Sequence, residues 1–286
     1  MVRGKIWVQR VLEFVDNIVY NDVEKKQGDN MSKIENYYNK FNEEKRLLSR
    51  HGQVEYITSM KYIHEVLKGD KAKKILDIGA GTGRYAVALS DEGYDVTAIE
   101  LVKSNLGVLK AKKSSVKAYQ GNALDLSRFQ DDSFDCVLLF GPMYHLFTID
   151  EKVKALQEAK RVIKKSGVIL VAYCMNDYAV ITFGFKENKI KECLEDGRIT
   201  SNFKTVPKEQ DLYSYVTLVD IDQFNHLAGL HRHKIISPDG HSDFMRPTLN
   251  QMDDETFDLY IQYHLLNCER LDLIGAGSHT LDIVYK

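Results

Sequence analysis

The chain of 286 residues has only four cysteines, Cys136, Cys174, Cys193 and Cys268, and they are scattered. Cys136 and Cys174 fall inside apolar runs that read as core strands, so buried free thiols are expected rather than a disulfide framework. An excess of one charge is missing as well: 39 Lys and Arg against 41 Asp and Glu leave a net charge of −2. That balance argues against a large nucleic-acid footprint, while leaving open one basic face. No run of about eighteen apolar residues occurs, so no membrane-spanning helix is expected. Residues 1–20 are partly apolar but are interrupted by Arg10, Glu13 and Asp16, unlike the continuous stretch of a signal peptide. Internal repeats and low-complexity tracts are also lacking. These absences together predict a cytoplasmic protein with no membrane partner. At 44% hydrophobic, the chain is long enough for one large domain or two small ones.

What is present is concentrated between residues 74 and 174. Lys74–Ile78 reads as an apolar strand that runs into Gly79-Ala80-Gly81-Thr82-Gly83-Arg84, with a helix beginning near Tyr85. Strand, glycine-rich turn and helix in that order build a nucleotide site at the C-terminal end of a first strand. The glycines let the backbone turn tightly and let a ligand approach closely. A pyrophosphate fingerprint would place its third glycine three residues after the second, where Arg84 stands instead. Asp77, just before the turn, would repel a pyrophosphate and suit a cationic ligand.

The segments that follow keep the same order. Residues 94–100 read as a second strand ending in Glu100, about twenty residues past the glycines, where such folds place an acid that accepts ribose hydroxyls. Residues 116–120 read as a third strand, followed by Gly121-Asn122-Ala123. Then come Asp132-Ser133-Phe134-Asp135, an apolar strand, the loop Phe140-Gly141-Pro142-Met143-Tyr144-His145, and a helix over 151–164 that ends at Lys164-Lys165-Ser166-Gly167 before a strand at 168–174.

This series resembles the class I methyltransferases dependent on S-adenosylmethionine (SAM), over residues 74 to about 174. An acid followed by G-x-G-x-G, a "D-x-F-D" strand and an "L-K-P-G-G" turn are the family's marks, the last with Ser166 as a departure. The resemblance implies an α/β architecture: a Rossmann-like, seven-stranded, mostly parallel sheet with helices on both faces and an antiparallel last strand. It implies SAM as cofactor and S-adenosylhomocysteine as product. It assigns Asp77, Gly79, Gly81, Gly83 and Phe140 to the cofactor, Glu100 to its ribose, and Asn122 and Ala123 to its adenine.

The loop at 140–145 stands where the family holds its acceptor. It lacks the polar first residue of the [DN]-P-P-[YFW] motif, because Gly141 occupies that place, which argues against exocyclic amines of adenine or cytosine. Tyr144 could offer a π-face to the sulfonium or a hydroxyl to the acceptor, or could pack the loop. His145 could act as a general base or could brace the loop through a backbone hydrogen bond. Arg50 or Arg46 could pair with the cofactor carboxylate, with a solvated helix arginine as the plainer reading. Tyr37 or Tyr38 could reach the cofactor or could face the core.

The expected organisation is an N-terminal extension (1–30), helices covering the cofactor site (31–70), the SAM-binding core (71–174), a cap insertion shaping the acceptor pocket (175–251), and a last helix with C-terminal strands (252–286). Within the cap, 212–219 alternates like a strand, a short helix falls near 221–228 and a further strand near 234–237. His241, after Pro238-Asp239-Gly240, is the cap residue expected to touch substrate. His231 and His233 share a strand face, but no matching carboxylate or cysteine cluster supports a metal. Residues 270–275 and 280–285 are expected to pair antiparallel. On that expectation Ile274-Gly275-Ala276-Gly277, a near copy of the first glycine motif, is a hairpin turn. The acceptor is expected to be a small molecule or one side chain. A nicotinamide-dependent oxidoreductase and a non-catalytic SAM-binding module are the competing readings.

Overall fold

The computed structural model describes Ile34 and residues 49–208 and 211–286. The expectations for the 1–30 extension, Tyr37, Tyr38 and Arg46 lie outside the described residues. The main elements are α1 (Arg50–Leu67), β1 (Lys74–Ile78), α2 (Arg84–Asp91), β2 (Asp95–Glu100), α3 (Lys103–Ala111), β3 (Lys117–Gln120), β4 (Phe134–Leu139), α4 (Ile149–Val162), β5 (Ile163–Cys174), α5 (Leu218–Ala228), β6 (His231–Ile236), α6 (Asp254–Asn267) and β7 (His279–Tyr285).

The strands form one seven-stranded sheet in the order β3-β2-β1-β4-β5-β7-β6. β7 runs antiparallel to both β5 and β6, and the remaining neighbours pair in parallel, so β7 alone is reversed. The central strands are apolar on both faces because helices cover both. Leu76, Ile78, Val137 and Leu139 point into a core shared with α4 and α5. Ile75, Cys136 and Leu138 alternate with them and pack on the other face against α1 and α2. Burying each such side chain contributes roughly 1.5–3 kcal/mol, so these strands anchor the fold. α4 begins with a capping box in which Thr148 and Glu151 satisfy each other's backbone N–H groups.

The strand order reverses between β1 and β4, whose neighbours on either side run outward in sequence. In open α/β sheets the crevice at such a reversal, outside the carboxyl ends of the strands, is where ligands bind. β1, β2 and β4 all deliver their last residues there.

Four expectations need correction. The strand placed in the cap near 234–237 is β6, which starts at His231 and closes the edge of the main sheet. With α5 before it, it belongs to the core sheet rather than to an insertion. Residues 212–219 do not form a strand: Val216 makes one bridge to Met175, and Leu218 already starts α5. Residues 270–275 are turn rather than strand, and β7 pairs with β5 and β6 instead. Ile274-Gly275-Ala276-Gly277 therefore links α6 to β7 and is no hairpin.

β7 is held in place by charge as well as by its ladder. Asp282 is buried, and it accepts hydrogen bonds from Arg232 Nε on β6 (2.6 Å), Arg232 Nη2 (3.1 Å) and Asn225 Nδ2 on α5 (2.6 Å).

Candidate active site

The glycine turn is fixed by its backbone. The N–H groups of Gly79 and Ala80 both donate to the carbonyl of Ile99 at the end of β2, at 2.9 and 3.0 Å. Gly79, Gly81 and Gly83 have φ of +75°, +57° and +87°, which favours glycine at each. A side chain on Gly79 would strike Pro142, and one on Gly83 would overlap Leu109 of α3. Gly81 differs, because a Cβ there would meet nothing within 4 Å, so its outer face is open.

Two carboxylates lie beneath this turn. Glu100 is buried; its Oε2 accepts the Gly81 N–H at 2.7 Å and its Oε1 accepts the Val102 N–H at 2.8 Å. Burial raises its pKa, against the pull of those donors. Asp77 is 1% exposed. Burial first, then the neighbouring Glu100 charge, push its pKa up to about 7, opposed by a hydrogen bond from the Ala86 N–H on α2. Its Oδ2 has no hydrogen-bond partner among the described residues. A buried carboxylate oxygen left unpaired at a ligand crevice is costly unless a donor arrives with the ligand.

Asn122 and Ala123 follow β3 on the same rim. Asn122 Oδ1 accepts the Leu124 N–H at 3.0 Å, which shapes the turn, and Ala123 is buried. Phe140, just past β4, meets Tyr85 edge-on at 5.1 Å between ring centroids. Tyr85 in turn packs on Tyr56 of α1 at 5.3 Å, and the Arg84 guanidinium lies over the Tyr56 ring at 4.4 Å. Tyr56 is thus the residue by which α1 meets the glycine turn. Arg50, assigned to the cofactor carboxylate, is engaged elsewhere: it pairs with Asp254 at 2.7 Å and lies over Phe257, both on α6. A sequence stripe cannot say which of two helix residues, six apart, faces the turn.

The turn Pro142–His145 lies on the same rim, against the glycine turn. It is tied to α4 by Lys152, a buried lysine whose Nζ donates to the carbonyls of Met143 and Leu146, both at 2.6 Å. Burial lowers the Lys152 pKa to about 8. His145 Nδ1 donates to the Leu212 carbonyl at 2.9 Å, and its ring stacks on Tyr213. Burial lowers its pKa, so a neutral imidazole braces the loop at 212–213. The Tyr144 ring lies 5.6 Å from that of His279, the first residue of β7.

His279 belongs to a cluster that sequence reading missed. Its Nδ1 is 2.7 Å from Asp239 Oδ2 and 3.9 Å from Glu55 Oε2. The Asp239 carboxylate also accepts the His279 backbone N–H, at 3.1–3.2 Å. Glu55 and Tyr56 are consecutive on α1, so one helix reaches both this cluster and the residues that follow the glycine turn. His241, the cap residue assigned to substrate, is exposed; the same loop turns Asp239 inward. Pro238-Asp239-Gly240 was the available signal, read for the histidine after it rather than for its aspartate. His231 packs beside Tyr285, and no metal-holding group of three is found among the described residues. A groove of about 470 Å³ lined by Tyr62, Lys73, Asp135, Gly167 and Tyr285 opens at the opposite, amino end of the parallel strands, away from the glycine turn.

Comparison with known proteins agrees with this geometry. Residues 76–171 match the methyltransferase-domain family. The chain is 34% identical over 112 residues to a demethylmenaquinone methyltransferase of Renibacterium salmoninarum, covering 39% of this chain and 44% of that protein. It is 26% identical over 132 residues to a glycine/sarcosine N-methyltransferase of Aphanothece halophytica, covering 44% and 49%. The match thus spans under half the length of these curated relatives. The crystal structure of a SAM-dependent methyltransferase from Methanosarcina mazei shares the fold, with a TM-score of 0.53 at 14% identity, covering 79% of this chain and 96% of that one. Residues 76–171 thus match a methyltransferase domain, and the sheet built around them has the fold of a SAM-dependent methyltransferase.

Proposed function

We propose that the protein transfers a methyl group from SAM to a small molecule or to a single side chain. The observation that carries this reading is the pair of buried carboxylates under the glycine turn, Asp77 with an unpartnered oxygen and Glu100 beside it. A pyrophosphate would add negative charge to that pair, whereas SAM brings a sulfonium and an ammonium and no phosphate. The residues present fit it. Asp77 would hold the cationic end, Glu100 the ribose hydroxyls, Asn122 and Ala123 the adenine, and the open face at Gly81 would leave room for the ligand beside the turn.

When bound, SAM supplies an electrophilic methyl group. The chain's part is alignment and exclusion of water. Holding the reactants in line is worth roughly 7–11 kcal/mol by effective molarity, so the donor's intrinsic reactivity leaves little more to supply. The acceptor would lie against the turn Pro142–His145, whose position is fixed by Lys152 on one side and by the bond from His145 to Leu212 on the other. With its Nδ1 committed to that carbonyl, His145 braces the loop. Tyr144 presents an aromatic ring at the same turn. Four buried free thiols, Cys136, Cys174, Cys193 and Cys268, support a reducing compartment and hence the cytoplasm.

The test is a calorimetric comparison of SAM, S-adenosylhomocysteine and NAD, followed by turnover of labelled SAM with a cell extract. Binding of the first two and label transfer are expected. Binding of NAD instead would turn the reading to an oxidoreductase. SAM binding without any transferred label would leave a binding module.

A further inference from the structure

We infer that His279, oriented by Asp239, is the base that takes the proton from the methyl acceptor. The inference rests on the methyltransferase reading and adds to it the class of acceptor, one whose nucleophile is an N–H or O–H that must lose a proton.

The argument begins with topology. β7 is reversed, so its first residue, not its last, stands at the carboxyl rim of the parallel strands. His279 pairs with Cys174, the last residue of β5, and its ring lies beside Tyr144 of the acceptor turn. That turn abuts the glycine loop, since Gly79 packs on Pro142. His279 therefore stands beside the turn Pro142–His145, at the carboxyl rim to which β1 also delivers the glycine turn.

Its two nitrogens are unequal. Nδ1 faces Asp239 at 2.7 Å and Glu55 at 3.9 Å, and a carboxylate there fixes the proton on Nδ1. No described group hydrogen-bonds to Nε2. The neutral ring thus presents a lone pair at Nε2, as a carboxylate-backed base must. Asp239 is itself held rigidly: it also accepts the His279 backbone N–H, and Gly277 packs so tightly on it that a Cβ there would lie 2.9 Å from Asp239 Oδ1. The second glycine motif of the sequence thus makes room for a carboxylate rather than for a nucleotide.

The step balances without another reactant. The acceptor's lone pair attacks the methyl carbon and forms the new N–C or O–C bond. The carbon–sulfur bond breaks and its electron pair stays on sulfur. The acceptor's proton passes to Nε2, and the imidazolium formed is stabilised by Asp239 and returns the proton to solvent.

The groups facing His279 are Glu55 from α1, Cys174 from β5, Asp239 and Asp243 from the loop after β6, and Tyr144 and Tyr178 from the turns after β4 and β5. Burial would lower the His279 pKa, but Glu55, Cys174 and Asp239 outweigh it and hold the pKa well above the ordinary histidine value. The working neutral form is therefore populated as pH rises, and kcat/KM should climb with pH through a limb above about 6.5.

The experiment uses the full chain, tritiated SAM and, as acceptors, a panel of small amines and phenols together with a desalted-metabolite extract. The variants are His279→Ala and Asp239→Asn, with thermal melting and SAM calorimetry as checks on folding. Expected are SAM affinity within about threefold of wild type, a rate loss of about a hundredfold or more in His279→Ala, and partial rescue of that variant by added imidazole. Asp239→Asn should shift the pH limb to lower pH, because the imidazolium loses its counter-charge. A His279→Ala protein that binds SAM and still turns over within about threefold of wild type would overturn the assignment. So would an Asp239→Asn limb that does not move. If wild type binds SAM but labels nothing in the panel or the extract, the methyltransferase reading itself falls, and the base assignment falls with it.

Discussion

Gly79 stands so close to Pro142 that a Cβ on the glycine would lie 2.6 Å from the proline Cδ. The glycine turn and the turn Pro142–His145 are thus in direct contact, and a side chain at Gly79 would drive them apart. Gly79→Ala also forces an alanine to φ near +75°. Overpacking and the left-handed backbone together should cost roughly 2–4 kcal/mol, a Tm drop on the order of 10 °C. Gly81→Ala meets open space and carries only the backbone penalty, about 1 kcal/mol, yet it fills the face left to the ligand. Calorimetry should show SAM binding lost in both, and melting should show a large loss in Gly79→Ala alone. Equal melting losses would refute the contrast.

Glu100→Gln keeps an oxygen for the Gly81 N–H but removes the charge. A hydrogen bond to a charged group is worth about 1.5–3 kcal/mol, so SAM should bind roughly ten- to hundredfold more weakly, and melting should fall as well because the new amide faces the buried Val102 N–H. An unchanged Kd would show that this carboxylate does not hold the ribose.

Asp77 makes the ligand-free protein sensitive to pH. Its folded pKa, raised to about 7, lies above the unfolded value. Between those values the native state holds more protons than the unfolded chain, so stability is present at the acid end and is lost as pH rises toward 7. At about 1.4 kcal/mol per unit the effect is a few kcal/mol. Asp77→Asn should unfold at higher urea than wild type at pH 8, with a smaller difference at pH 5, and should fail to bind SAM. Below pH 7, SAM binding to wild type should release a proton, read as a dependence of the calorimetric heat on buffer ionisation. A heat independent of buffer would count against Asp77 as the partner of the cationic end.

Arg232→Met leaves buried Asp282 with Asn225 alone. Breaking a buried ion pair costs about 3–5 kcal/mol, and the low end applies because the arginine side chain is 28% exposed. Adding Asp282→Asn should recover part of the loss in a urea titration, since no uncompensated charge then remains. A double variant no more stable than the single would place the cost elsewhere.

The sequence made the glycine turn and the end of β2 legible, because each is a local pattern. Turn glycines and strand alternation need only neighbours along the chain. β6 was harder: His231-Arg232-His233-Lys234 is polar because an edge strand shows one side to water, and an apolar-run criterion places its start too late. Arg50 shares α1 with Tyr56, and only packing decides which of the two meets the turn. Asp239 and His279 lie forty residues apart in sequence. They meet because β7 enters the sheet in reverse between β5 and β6, a long-range event that no local pattern reports. The Ile274-Gly275-Ala276-Gly277 segment reads as a hairpin turn from its position, whereas its last glycine matters for what lies against it.

The position of β7 also sets an order on synthesis. β6 leaves the ribosome before β7, yet β7 separates it from the rest of the sheet. Until residues 279–285 follow, β6 has no strand to join, and Asp239 waits without its histidine. The nascent chain can pair β1 to β5 early, while β6 and β7 join the sheet last.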